Sequence, residues 1–138
     1  MSRRRRTYTG FRSERGQTAV EFALVAPLLI VLLLGIIQVG IAFHRYVEVT
    51  DAARAAARRA IVARVAGVTP SDIRAAAVAA APDLSGSSLG VDVGPSDPMN
   101  AASGTTVSVT VSYPYSINLL GWVVSSGTIT STMSDRLE

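Results

Sequence analysis

The chain has 138 residues, no cysteine and a formal net charge of +3. Its 13 basic residues are all arginine, so a Schiff-base lysine, a phosphate-loop lysine and a Ser-Lys dyad are excluded, as are a disulfide framework and a thiolate metal site. Arg3, Arg4, Arg5, Arg6, Arg12 and Arg15 fall within the first 16 residues, and from Gln17 onward the seven remaining arginines face nine acids, so the basic character belongs to the N-terminal tail alone.

Residues 1–16 read as a basic leader that ends in Gly16. After Gln17 the chain turns apolar, and from Phe22 to Phe43 there are 22 residues without a formal charge. As a helix that stretch spans about 33 Å, enough to cross a hydrocarbon core of roughly 30 Å. A cleavable secretory signal has a shorter apolar core followed by its cleavage site, whereas here the glycine stands before the apolar run. Cutting there would leave the anchor on the mature protein. Glu21 is the one charge at the lip of the span, and a carboxylate in that position usually has a partner and a role. Pro27 deletes an amide hydrogen bond inside the helix and predicts a kink or local melting, with a proline simply tolerated in a membrane helix as the equal alternative. Gly35, Gly40 and Ala42 allow close helix approach without forming a GxxxG pattern. The arginine tail favours a cytoplasmic N-terminus and a translocated C-terminal part, with Phe43, His44 and Tyr46 at the outer headgroup level.

Residues 45–66 contain neither proline nor glycine and are rich in alanine and arginine, which predicts that the helix continues beyond the membrane to Ala66. Arg45 with Glu48, and Asp51 with Arg54, have the spacing of supporting ion pairs. The alanine-rich surface from Ala52 to Ala63 suits close packing against strands or other subunits, or reflects helix propensity alone. Gly67 is a natural helix stop, and Thr69, Pro70 and Asp72 have the types of an N-cap, a first-turn proline and an acidic third position for a second helix reaching about Ala81.

Beyond Pro82 the composition shifts to Ser, Thr, Gly and Val. Leu89, Val91 and Val93 alternate as in a strand. Val107, Val109, Val111, Tyr113 and Tyr115 alternate with Ser108, Thr110, Ser112 and Pro114, predicting a half-buried strand that ends at the proline. Residues 94–104 read as a loop, and Thr128 to Met133 as a third strand. Leu119, Leu120, Trp122, Val123 and Val124 are expected in the core, with a partner surface as the alternative. The expected fold is thus α+β: a long N-terminal membrane-spanning helix continuing outside the membrane (residues 17–66), a second short helix, and a small antiparallel sheet of about three strands within an extracytoplasmic part (67–138).

The segment RGQTAVEFALVAPLLIVLLLGIIQVG resembles the N-terminus of the TadE/TadG-like family, pseudopilins of tight-adherence (type IVb, Flp-type) pilus systems. The resemblance rests on the basic leader, the glycine, a glutamate at the fifth position after it, the aromatic Phe22 and the apolar helix. It is firm over residues 15–60 and looser through the Ala/Arg helix and the strand pattern ending near Met133, Arg136 and Glu138. It implies cleavage between Gly16 and Gln17 by a membrane prepilin peptidase, and an assembly role for Glu21 in pairing with the α-amine of Gln17, in its own chain or a neighbour's. The implied partners are the lipid bilayer, that peptidase, other pilin or pseudopilin subunits and the inner-membrane assembly platform, with the protein in the bacterial cytoplasmic membrane. A membrane-tethered envelope module that binds a partner and is never processed stands as the alternative. Four arginines beside a span are a topology signal rather than a nucleic-acid arm. No enzyme activity, cofactor or metal is expected: His44 is the single histidine, and the acids after Asp51 sit in loops and turns, without a paired carboxylate.

Overall fold

The structure is a computed structural model that describes residues 14–96, 98 and 100–137. Arg3, Arg4, Arg5, Arg6 and Arg12 lie outside the described residues, as do Glu138 and the side chain of Arg15. Helix α1 runs from Glu14 to Ile61 and carries Pro27 inside it without a break. At 1.5 Å per residue it is about 72 Å long. Val62 interrupts the helix before a single further turn, α2 (Ala63–Ala66), so the expected continuity to Ala66 holds except at that residue. Gly67 then stops the chain in the left-handed region (φ 63°), and its N–H donates to the carbonyl of Ala63. Helix α3 (Pro70–Ala79) opens with the expected cap.

Strands β1 (Gly90–Gly94), β2 (Thr106–Leu119) and β3 (Trp122–Arg136) form one antiparallel sheet in the order β1-β2-β3. The α+β architecture expected from the sequence is therefore the one observed. Alternation decides the two faces. Val91, Val93, Val107, Val109, Val111 and Met133 turn toward the helices, while the opposite face is a field of hydroxyls in which Ser108, Thr110 and Ser112 oppose Ser134, Thr132 and Thr130. The Thr110 and Thr132 hydroxyls meet at 2.9 Å.

The core lies between this sheet, α3 and the outer part of α1. Val49, Ala52, Ala53, Ala56 and Ala60 recur at helical spacing and are fully buried, together with Ile73 and Ala77 of α3 and Val109 and Val111 of β2. Small side chains let the backbones approach, so the alanine surface serves packing within the chain. Of the two expected ion pairs, Asp51 with Arg54 forms at 3.1 Å. Arg45 with Glu48 does not: Glu48 is buried and is approached instead by His44, one turn before it.

Two further expectations fail. Strand β2 does not stop at Pro114 but continues to Leu119, with Pro114 opposite Thr128. The reason is that β1 reaches only to Ser112, so beyond that point β2 is paired on one side and tolerates the missing amide. The second concerns Leu120, Trp122, Val123 and Val124, which are not core: each is more than 60% exposed. Both strands overshoot the buried layer, and these residues form the tip of the β2–β3 hairpin.

Candidate functional site

The residues expected to direct processing and assembly occupy the N-terminal turns of α1. Gln17 and Glu21 are four positions apart, which places them on one helix face. The Gln17 side-chain amide Nε2 donates to Glu21 Oε1 at 3.2 Å, and both residues are exposed. Glu21 is therefore already directed at residue 17, although through its side chain. Phe22 follows, 68% exposed.

Through the apolar span that follows, from Phe22 to Phe43, no residue of the helix is buried within the chain. α1 contains an 18-residue window of mean hydropathy 2.8 of which none is buried, and among the described residues no other helix is long and apolar enough to cross a membrane. Leu24, Leu28, Leu29, Leu32, Leu33 and Ile36 are all exposed. A Cβ added at Gly35 or Gly40 would meet nothing within 4 Å, so any close approach that these glycines serve must come from outside the chain. A surface of this length and apolarity requires lipid or other helices around it.

Where the span ends, three elements converge. The rings of Phe43 and Tyr46 lie 6.2 Å apart, and an open apolar groove runs between Val39, Ala42, Phe43 and Tyr46 on α1 and Tyr115, Ile117 and Ile129 on the sheet. His44 reaches across to the segment after α3, its Nε2 standing 3.4 Å from Asp83 Oδ2 and 4.0 Å from Glu48 Oε1. The three side chains offer ligand atoms within 4.8 Å of one another, which makes them the described residues best placed to hold a cation. His44 and Asp83 are exposed, however, and an ordinary side-chain hydrogen bond accounts for their distance. The sequence places His44 at the membrane boundary and gives no sign of Asp83, because a contact across 39 positions leaves no periodic signal.

The remaining electrostatic feature is the start of α3. The Asp72 carboxylate accepts from the Thr69 hydroxyl at 2.7 Å and from the Thr69 backbone N–H at 2.9 Å, and these bonds hold its carboxyl below the usual carboxylate range. This is structural capping and carries no catalytic geometry.

Comparison with known families bears on the N-terminal part of this arrangement. The family model described as TadE-like protein matches residues 16–58, the stretch that begins at Gly16, contains Glu21 and the apolar span, and ends within the alanine-rich part of α1. The resemblance read from the sequence is thus supported over that stretch. No curated protein and no solved structure gives a match to the chain.

Proposed function

We propose that the chain is a single-pass membrane subunit of the pseudopilin kind, a minor component or assembly factor of a tight-adherence type IVb pilus or a related secretion machine. In this reading the precursor is cleaved after Gly16 by a prepilin peptidase. α1 then anchors the product, and the sheet and α3 lie outside the cytoplasm. The observation that carries the reading is the placement of Gly16, Gln17, Glu21 and Phe22 at the head of a membrane-length uncovered helix, inside the segment matched by the TadE-like family model. Its role is structural: α1 supplies an apolar rod for lateral packing with other pilin or pseudopilin helices, Glu21 sets the register, and the assembly platform receives the subunit from the bilayer. The arginines Arg3, Arg4, Arg5, Arg6, Arg12 and Arg15 keep the leader on the cytoplasmic side, where the peptidase acts.

The deciding experiment is co-expression with the cognate peptidase followed by N-terminal analysis. A product starting at Gln17, abolished by Gly16→Leu, supports the reading. An intact N-terminus on protein from cells with active peptidase leaves the unprocessed membrane-tethered module as the better account.

A further inference from the structure

We propose that the tip of the β2–β3 hairpin is a second membrane contact, in which Leu120, Trp122, Val123 and Val124 insert at the headgroup–acyl boundary of the leaflet where α1 emerges. The inference rests on α1 crossing a bilayer and does not depend on processing or on a pilus.

The first observation is the direction of the hairpin. Near its base, Met133, Ser134 and Asp135 lie against Arg54, Ala57, Arg58 and Ile61. Farther along, Tyr115, Ile117 and Ile129 lie against Val39, Ala42, Phe43 and Tyr46. The sheet thus descends along α1 toward the span. At about 3.3 Å per residue, the three positions from Ile117 to Leu120 carry the tip roughly 10 Å further in that direction. It therefore reaches below the level of Phe43 and Tyr46.

Composition is compatible with that depth. From Pro98 to Ser134 the chain has no Asp, Glu, Arg or Lys, so all of β2, the turn and most of β3 are free of charge, the tip included. Four large apolar side chains at the tip are exposed, Trp122 the most at 80%. An indole at this level has the amphipathic character that membrane interfaces favour.

The turn supplies a third, independent observation. Leu119 pairs with Trp122, leaving Leu120 and Gly121 as a two-residue loop with φ of 51° and 87°. Such a turn favours Asn-Gly, and a bulky residue at positive φ is a genuine outlier. Leucine at that strained, exposed position is accounted for by an apolar medium around the tip. Depth is limited by the backbone: outward-facing N–H and C=O groups of a two-stranded tip cannot enter dry hydrocarbon, so the side chains insert while the strands stay at the boundary.

Trp122 is the single tryptophan, so its fluorescence in the full chain reports this tip alone. With one copy per lipid nanodisc, the expected result is blue-shifted emission and quenching by lipids brominated near the headgroup more than by lipids brominated at the chain end. Quenching by aqueous iodide should be several-fold weaker than in the Leu120→Ser, Val123→Ser double variant. Co-elution of protein with the disc shows that α1 is inserted, so a failure of the tip is separable from a failure of the anchor. Solvent-like emission with free iodide access and no lipid quenching would overturn the proposal. Iodide protection without lipid quenching would overturn it equally, and would assign the tip to a protein surface.

Discussion

Nε2 of His44 stands 3.4 Å from Oδ2 of Asp83, joining the helix at its exit from the apolar span to the connection between α3 and β1. Beneath this exposed pair lies Glu48, 8% exposed, whose Oε2 has no hydrogen-bond partner. Exposed ion pairs are worth about 0–1 kcal/mol, whereas a buried carboxylate with an unsatisfied oxygen costs several kcal/mol in desolvation. The stability of this corner is therefore governed by Glu48 and only weakly by Asp83.

The first prediction follows from that asymmetry. Asp83→Asn should shift thermal unfolding of the detergent-solubilised protein very little, within about 1 kcal/mol. Glu48→Leu should raise the midpoint, because replacing a buried, poorly paired charge by an apolar residue of similar volume is neutral or stabilising by about 1–4 kcal/mol. A clear loss of stability in Glu48→Leu, followed by circular dichroism, would mean that the carboxylate holds a ligand.

The capping box at α3 gives a pH prediction. Thr69→Ala removes the hydroxyl and should destabilise the domain by about 1 kcal/mol. Asp72 has its folded-state pKa depressed below the ordinary 3.8 by the Thr69 hydroxyl and backbone bonds. The sign is then fixed: its stabilising effect is present above pH 3.8 and is lost as pH falls through the lower folded value. Asp72→Asn should flatten the stability profile over that acidic window. Unchanged acid sensitivity in the variant would assign the window to other carboxylates.

Much of this fold was legible because its signals are local. Gly67, Thr69, Pro70 and Asp72 act within one helical turn, and the alternation from Val107 to Tyr113 states which face is buried. The residues proposed for processing and assembly stand out in the same local way, as a short run at the head of an apolar helix. What escaped the sequence depends on distant neighbours. Pro114 reads as a stop only if β1 is assumed to extend past Ser112, and the apolar run at Leu119 to Val124 reads as core unless the length of the strands beyond the alanine layer is known. His44 met Asp83 for the same reason, through the fold of α3 back onto α1.

The alanine layer itself makes the next prediction. Ala56 is fully buried in the core that α1 shares with α3 and the sheet, and Ala56→Leu adds side-chain volume there. Overpacking of this kind costs typically about 1–3 kcal/mol. Ala66→Leu, at an exposed position of α2, should stay within about 0.5 kcal/mol. Comparable unfolding midpoints for the two variants would show that the alanines reflect helix propensity and not close packing.

Glu21 tests whether the head of α1 assembles subunits or merely anchors one. The apolar window of α1 follows it, so Glu21→Ala should leave insertion intact or slightly improved, since a carboxylate near the bilayer edge opposes insertion. Glu21 Oε1 already accepts a hydrogen bond from the side chain of Gln17, one turn away. In the proposed reading, cleavage after Gly16 exposes an α-amine at Gln17, and the same carboxylate then has an ammonium within reach in its own chain, or in a neighbour displaced along the helix axis. Pairing the two satisfies both charges in a medium that solvates neither. Glu21→Ala protein should therefore be processed normally yet fail to crosslink to other pilus subunits or to restore piliation in a deletion strain. Glu21→Asp keeps the charge but shortens its reach by one methylene, so partial rescue is expected. Full piliation and normal crosslinking by processed Glu21→Ala protein would show that register is set elsewhere on α1, and would favour a simple anchor in which Glu21 only marks the bilayer edge.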